Sequence, residues 1–372
     1  MTAPLVRITA EDVGPLARGA AILGAGGGGD PYIGRLMAQR ALGEHGPVEV
    51  VALDALPDDA MVYPVAMMGA PTVMVEKVPT TDQLAAAVQA LARYLERPVT
   101  HIACAEAGGV NSTIPIIAAA QLDLPLVDAD LMGRAFPELQ MVMPTLAGIP
   151  GTPMSIADEK GNAGILTTID NAWSERLARS VTIDMGCSAI ISSFAMRGEL
   201  LRSNAVPGTL SLCHRLGTAV EQARANRVPP VDAVAATLDG RVIFTGKVVD
   251  VARRTATGFA RGDATIAPIT GTGDCLRLEF QNEHLLATLC GAVEQIEVST
   301  PDLIIVLDAE TGEPITTEAL RFGQRVSVLG APADPRWHSP EGIELVGPRY
   351  FGYDTDPVRC GRPAELQELT TV

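Results

Sequence analysis

The chain has 372 residues, with 44 acidic side chains against 28 Lys and Arg and a formal net charge of −16. Hydrophobic residues make up 47% and charged ones 19%, which suits a globular chain of about two domains and excludes a disordered one. The acidic balance argues against binding a phosphate backbone or an anionic leaflet, so neither nucleic acid nor membrane is expected as a partner.

From the N-terminus, Met1 to Arg7 followed by Glu11 and Asp12 shows no charged run before an apolar one, so no signal peptide is expected. Residues 9–22 read as a helix. Thr9 with Asp12 three positions on approximates a capping box, and Val13, Leu16, Ala20 and Leu23 form an apolar stripe. The loop Gly24-Ala25-Gly26-Gly27-Gly28-Gly29-Asp30 follows, and a second helix is expected from about Pro31 to Leu42, capped by Asp30. Val48–Leu53 and Met61–Met68 look like buried strands. Asp82–Leu95 carries Leu84, Ala87, Val88, Leu91 and Leu95 on one helical face.

Val99–Ala105 reads as a strand, Ser112–Gln121 as a short apolar helix, and Leu124–Val127 as a strand ending in Asp128-Ala129-Asp130. Met141–Leu146 and Gly164–Ile169 continue the β pattern. This alternation implies an α/β domain over residues 1–170, with a mixed or parallel sheet and helices on both faces. Near Asn171 the character changes. Helical stretches are expected over 171–200, with a break, and over 208–225, up to Pro229-Pro230. Short β runs then dominate: Val242–Val251, Asp263–Ile266, Leu276–Phe280, Glu294–Ser299, Leu303–Asp308 and Arg325–Leu329. Residues 171–360 therefore read as a β-rich α+β domain and 361–372 as a tail. No run of about 18 apolar residues suggests a membrane span. The cysteines at 104, 187, 213, 275, 290 and 360 never form C-x-x-C, which fits reduced thiols and a cytoplasmic location.

Several segments have the residue types that chemistry needs. Gly24, Gly26 and Gly29 fit G-x-G-x-x-G, but the dinucleotide fingerprint needs a preceding strand and this loop follows a helix. A structural turn, or a loop whose N–H groups meet a substrate, are the alternatives. Glu106, with Gly108, Gly109 and Asn111, sits at a predicted strand end, where ligands of α/β sheets bind. Asp128 and Asp130, followed by Arg134 and Glu138, are read as a turn in which two carboxylates share a proton or a metal, or hold Arg134. Asn282 and Glu283 could face a cleft between the domains. No histidine has zinc-motif spacing, and Cys187 lacks a local base, so a buried thiol is its default reading.

Taken together, GAGGGGDPYIG (24–34), EAGGVNS (106–112), DADLMGRAFPELQM (128–141), FQNEHL (280–285), PDLIIVLD (301–308) and LVGPRYFGYD (345–354) resemble the S-methyl thiohydantoin desulfurase family. The resemblance spans nearly the whole chain, and the acidic DAD-x-MGRAFPE run is its most specific part. It implies an N-terminal α/β domain, a β-rich C-terminal domain, and hydrolytic chemistry on hydantoin-type rings in the breakdown of ergothioneine-derived thiohydantoins. The reaction so implied replaces the S-methyl group of an isothiourea carbon with oxygen and releases methanethiol.

For that reaction, Glu106, Asp128, Asp130 and Glu138 are the expected acid/base carboxylates. Asn111 and the loop of Gly26, Gly27, Gly28 and Asp30 are expected to bind the ring carbonyl. Arg134 is expected to hold a carboxylate tail or orient the aspartates, with Asn282 and Glu283 completing the substrate site. One divalent ion such as zinc on Glu106, Asp128 and Asp130 is an open alternative; no nucleotide cofactor is expected. A small heterocyclic substrate and a homo-oligomeric assembly are the expected partners. The competing readings are a nicotinamide-dependent enzyme using the glycine loop and a non-catalytic binding partner of a hydantoinase-like enzyme.

Overall fold

The structure, a computed structural model, describes residues 4–29, 31–69, 80–256, 259–269 and 271–361. The expected cap residue Asp30 and the tail from 362 lie outside the described residues. Ten strands build a first sheet: β1 (Arg7–Ile8), β2 (Val48–Ala52), β3 (Met61–Gly69), β4 (His101–Cys104), β5 (Leu126–Asp130), β6 (Met154–Ala157), β7 (Ala163–Leu166), β8 (Ser188–Ser192), β9 (Met196–Arg197) and β10 (Val206–Pro207). Their order is β1-β2-β5-β4-β3-β8-β6-β7, with β9 on β3 and β10 on β5. The central β2-β5-β4-β3 strands run parallel and the others pair antiparallel, so the sheet is mixed.

The helices follow from apolar spacing. Helix α1 (Val13–Leu23) buries Val13, Leu16, Ala20 and Leu23, and α2 (Tyr32–His45) follows it. Helix α3 (Asp82–Leu95) has the expected bounds and buries Leu84, Ala87, Val88 and Leu91. Helix α4 (Ile114–Leu122) is buried over its first seven residues, as its unbroken apolar sequence requires.

The segment expected as strand 141–146 contains instead a short helix, α5 (Met143–Leu146). Pro144 sits in its first turn, where a missing N–H costs nothing. The helical expectation over 171–200 holds for α6 (Asn171–Asp184) and α7 (Gly198–Asn204), but β8 and β9 lie between them. Two helices follow, α8 (Thr209–Ala225) and α9 (Pro230–Thr237). Helices α1 and α8 pack so tightly that a Cβ on Gly19 would lie 1.8 Å from the Cys213 carbonyl oxygen, and one on Gly217 1.9 Å from that of Pro15.

The second sheet starts only at Arg241. It is antiparallel throughout, in the order β15-β14-β13-β12-β11-β17-β16. Its strands are β11 (Arg241–Ala256), β12 (Phe259–Pro268), β13 (Cys275–Gln281), β14 (Glu283–Cys290), β15 (Glu294–Ser299), β16 (Leu303–Asp308) and β17 (Arg325–Ala331). Strand β14, absent from the sequence reading, doubles the chain back at Asn282. Leu303, Ile305, Leu307 and Leu329 of this sheet share one buried cluster with Leu16, Ala20, Leu216 and Val220 of α1 and α8. Each such side chain contributes about 1.5–3 kcal/mol on full burial, so the two sheets are locked by a continuous core. Among the described residues no helix is long and apolar enough to cross a membrane.

Candidate active site

A cavity of about 110 Å³ lies where the carboxyl ends of β3 and β4 meet the β13–β14 reversal. Met67, Met68, Met132, Phe136 and Phe194 give it an apolar wall, and Glu106, Asn111, Glu138, Asn282 and Glu283 face them as polar lining. The position is the one that parallel strands favour, because the loops that leave their carboxyl ends diverge there.

Glu106 stands two residues beyond β4. Asn111 locks it in place: its Nδ2 donates to Glu106 Oε2 at 3.2 Å and to the Met67 carbonyl at 3.3 Å, while its Oδ1 accepts from Met67 N at 2.7 Å. Asn111 therefore has no capacity left for a ring carbonyl, contrary to its expected role. Glu106 Oε1 is buried without a protein partner. Burial, then the like charge of Glu283, push the Glu106 carboxyl well above the usual carboxylate range, against the Asn111 amide.

Glu283 arrives from the other sheet, at the start of β14. A Cβ on Gly27 would lie 1.9 Å from Glu283 Oε1, so the loop has to be glycine there for the carboxyl to fit. The Gly28 N–H donates to Glu283, and Gly27 N–H bonds the Gly24 carbonyl at 2.8 Å. These two loop N–H groups thus serve the protein, not a substrate. The loop is also clamped from the second sheet: His284 N donates to the Ala25 carbonyl and Thr317 N to that of Gly26, both at 2.8 Å. Gly26 and Gly28 both have positive φ, +94° and +71°, which glycine accommodates without strain. Burial raises the Glu283 carboxyl to about 8, although the Arg134 charge, the Gly28 N–H and Arg179 oppose the shift. Its Oε2 has no protein partner. Sequence spacing placed Glu106 and Glu283 in separate roles, whereas the fold makes them a pair across the domain boundary.

Asp128 and Asp130 are on strand β5 itself, not in a turn, and neither lines the cavity. Being two residues apart they share one face of the sheet. Asp128 Oδ1 accepts from Ser211 N at 3.0 Å and its Oδ2 from the Ser211 hydroxyl, which anchors the first turn of α8. Asp130 accepts from Ala107 N and Gly133 N, each at 2.9 Å; burial brings its carboxyl to about 7 despite those N–H groups. Because Ala107 follows Glu106, Asp130 acts by positioning the Glu106 loop. For Asp128→Asn we expect a loss of about 1–2 kcal/mol of stability with turnover per folded molecule within a few-fold of wild type. Thermal melts beside rate measurements check this. A hundredfold rate loss at unchanged melting temperature would return Asp128 to the chemistry.

Arg134 is also displaced from its expected role. It is fully buried, donates Nε to the Ala135 carbonyl at 2.9 Å, and donates Nη1 to the Pro301 and Asp302 carbonyls at 2.9 and 2.6 Å. It ties the first sheet's loop to the second sheet and is not among the residues that line the cavity. Glu138 does line the cavity; its Oε2 accepts from Tyr350 Oη at 2.8 Å and from Gln140. Asn282, at φ +57°, lines it too, but its Oδ1 is used by Ala260 N at 2.9 Å.

Among the charged lining residues, Glu175 and Arg179 of α6 and Glu318 escaped sequence reasoning. The first two pair with each other, and the Arg179 guanidinium stacks on Phe259 at 4.5 Å. Their i, i+4 spacing and opposite charge are the signal that sequence offers, and it is one shared by many surface helix pairs. The proposed metal set does not assemble: Asp128 and Asp130 spend their oxygens on Ser211, Ala107 and Gly133. Among the described residues no three His, Cys, Asp or Glu side chains are grouped to hold an ion. The residues present therefore do not fit the divalent ion left open as an alternative. The glycine loop follows α1, not a strand, so the dinucleotide reading also lacks its context.

Comparison with known proteins agrees with the two-part architecture. A family model described as "S-Me-THD-like, N-terminal domain" matches residues 11–168, and its companion, "S-Me-THD-like, C-terminal domain", matches 169–360. No curated protein matches the chain. A crystal structure of a protein from Chromobacterium violaceum superposes with a TM-score of 0.80 at 23% identity, covering 95% of this chain and all of that one, a likeness of fold.

Proposed function

The chain belongs to the S-Me-THD-like family, that of the S-methyl thiohydantoin desulfurases, and from that premise we propose that it hydrolyses the C–S bond of an S-methyl thiohydantoin, yielding a hydantoin and methanethiol. The observation that carries the reading is the Glu106–Glu283 pair. Two buried carboxyls from different sheets line one cavity, each with an oxygen that no protein group uses. Like charges at close quarters keep at least one of them protonated at neutral pH.

Their surroundings assign the roles. Glu106 accepts from Asn111 through Oε2, as the carbonyl oxygen of a neutral acid does, which leaves Oε1 to carry a proton. Glu283 lies in the fields of Arg134 and Arg179, so it is the one that ionises first. Glu106 then protonates a ring nitrogen and makes the carbon between the two nitrogens electrophilic. Glu283 takes a proton from the attacking water, and the thiolate leaves as methanethiol after protonation. The wall of Met67, Met68, Phe136 and Phe194 suits a departing methylthio group. The six free cysteines support a reducing cytoplasm as the compartment.

The test is release of methanethiol from S-methyl thiohydantoins by purified protein. Glu106→Gln is expected to stay folded and to lose about 10²–10⁴-fold in turnover, the range for removing a general acid. Wild-type rates in that variant, or no thiol released by the wild type, would overturn the reading.

A further inference from the structure

Among the described residues, the charge of the cavity is one-sided: Glu106, Glu138, Glu175, Glu283 and Glu318 line it against a single cation, Arg179. That cation is already paired with Glu175 and stacked on Phe259. Two of the acids, Glu106 and Glu283, are 8% and 3% exposed, and each presents a buried oxygen with no protein partner. Such a pair is complementary to a planar cation with in-plane N–H groups, which gives each carboxyl oxygen a charge-assisted donor and cancels the repulsion between the acids.

We propose that the ring is bound here as an amidinium-type cation, and that five-membered cyclic guanidines, 2-iminoimidazolidin-4-ones, are hydrolysed at the same carbon with loss of the exocyclic nitrogen as ammonia. The inference rests on the hydrolase reading above and extends its leaving group. An S-methyl isothiourea and a guanidine present the same N–C–N edge and differ in one substituent. In the step, the water oxygen forms a bond to the ring carbon and one water proton goes to Glu283. The exocyclic C–N bond breaks with its electron pair on nitrogen, that nitrogen takes the water proton back from Glu283, and Glu106, which gave its proton to the imine on binding, takes the remaining hydroxyl proton. The ring keeps the oxygen as a carbonyl, so an imine plus water becomes a carbonyl plus ammonia. The smaller amino group forgoes contact with Met67, Met68 and Phe194, so kcat/KM is expected to be roughly 10–200-fold lower than for the S-methyl ring.

The experiment gives the full-length protein 2-iminoimidazolidin-4-one and S-methyl-2-thiohydantoin, separately and together, and measures ammonia and methanethiol. Ammonia release that falls about a hundredfold or more in Glu106→Gln and Glu283→Gln, with competition between the two rings, is the expected result. Melting curves confirm that both variants are folded. Normal methanethiol release without ammonia, whether or not the guanidine inhibits, overturns this inference and leaves the desulfurase reading standing. Ammonia without methanethiol does the reverse, and neither product overturns both.

Discussion

Glu283→Gln is expected to remove turnover and to make the protein more stable at neutral pH. Glutamine copies the shape of the neutral carboxyl and can still accept the Gly28 N–H, but it carries no proton to exchange. A loss of about 10²–10⁴-fold in kcat follows from removing a general base. The stability gain follows from linkage. The folded carboxyl sits at about 8, above its ordinary 4.5. A carboxyl raised on folding leaves stability intact below its unfolded pKa, and stability is then lost as pH rises through the folded value. For Glu283 the window runs from about 4.5 to about 8, and by pH 7 the loss is on the order of 3 kcal/mol.

The variant escapes that penalty. Its melting temperature should match wild type near pH 4.5 and exceed it increasingly up to pH 8. Chemical or thermal melts at several pH values read this directly. A difference that does not vary with pH would mean that Glu283 does not titrate as a buried acid, and the acid/base assignment would fall with it. A site residue whose removal stabilises the fold is what stored electrostatic strain looks like.

Much of the fold was legible because its signals are local. Helix 82–95 and strands 294–299 and 303–308 declare themselves by period and by flanking Gly and Pro, and the structure gives them the expected bounds. Strands Met154–Ala157 and Ser188–Ser192 did not, since four or five residues carry too little period to separate strand from helix. Their place in the first sheet is settled by Ser188–Ser192 pairing with distant β3 and Met154–Ala157 pairing with Ser188–Ser192, which no local pattern encodes.

The site shows the same limit. Glu106 was legible as a carboxylate at a strand end. The run from Asp128 to Glu138 was the most specific part of the family resemblance, and it points to a real constraint: charged groups inside an apolar run must find partners. Here the partners of its two aspartates and its arginine are backbone N–H and C=O groups and the Ser211 hydroxyl, so those three hold up the site instead of lining it. Glu283 was read as facing a cleft, but its pairing with Glu106 had to wait for the tertiary fold, because that partner is 177 positions away by the residue numbers, beside another sheet.

Arg134 carries the other large expectation, which concerns the joint between the sheets. Its guanidinium is fully buried, lies over Phe136 at 4.7 Å, and bonds three carbonyls, two of them at Pro301 and Asp302 before β16. Burial lowers it to about 10, so it remains charged at neutral pH. Arg134→Met leaves those carbonyls without a donor in a place water does not reach, and a loss of about 3–5 kcal/mol is expected. Arg134→Lys should recover only part of this, because an ammonium cannot copy the planar fork. The lysine variant is the better probe of function, since its cation is more mobile and shields Glu283 less. Weakening that field removes an influence that holds the Glu283 pKa down. The limb of the pH–rate profile that depends on ionised Glu283 should therefore move to higher pH, alongside the lower melting temperature. A lysine variant that melts like wild type with an unshifted profile would show that Arg134 neither fastens the joint nor tunes the acid.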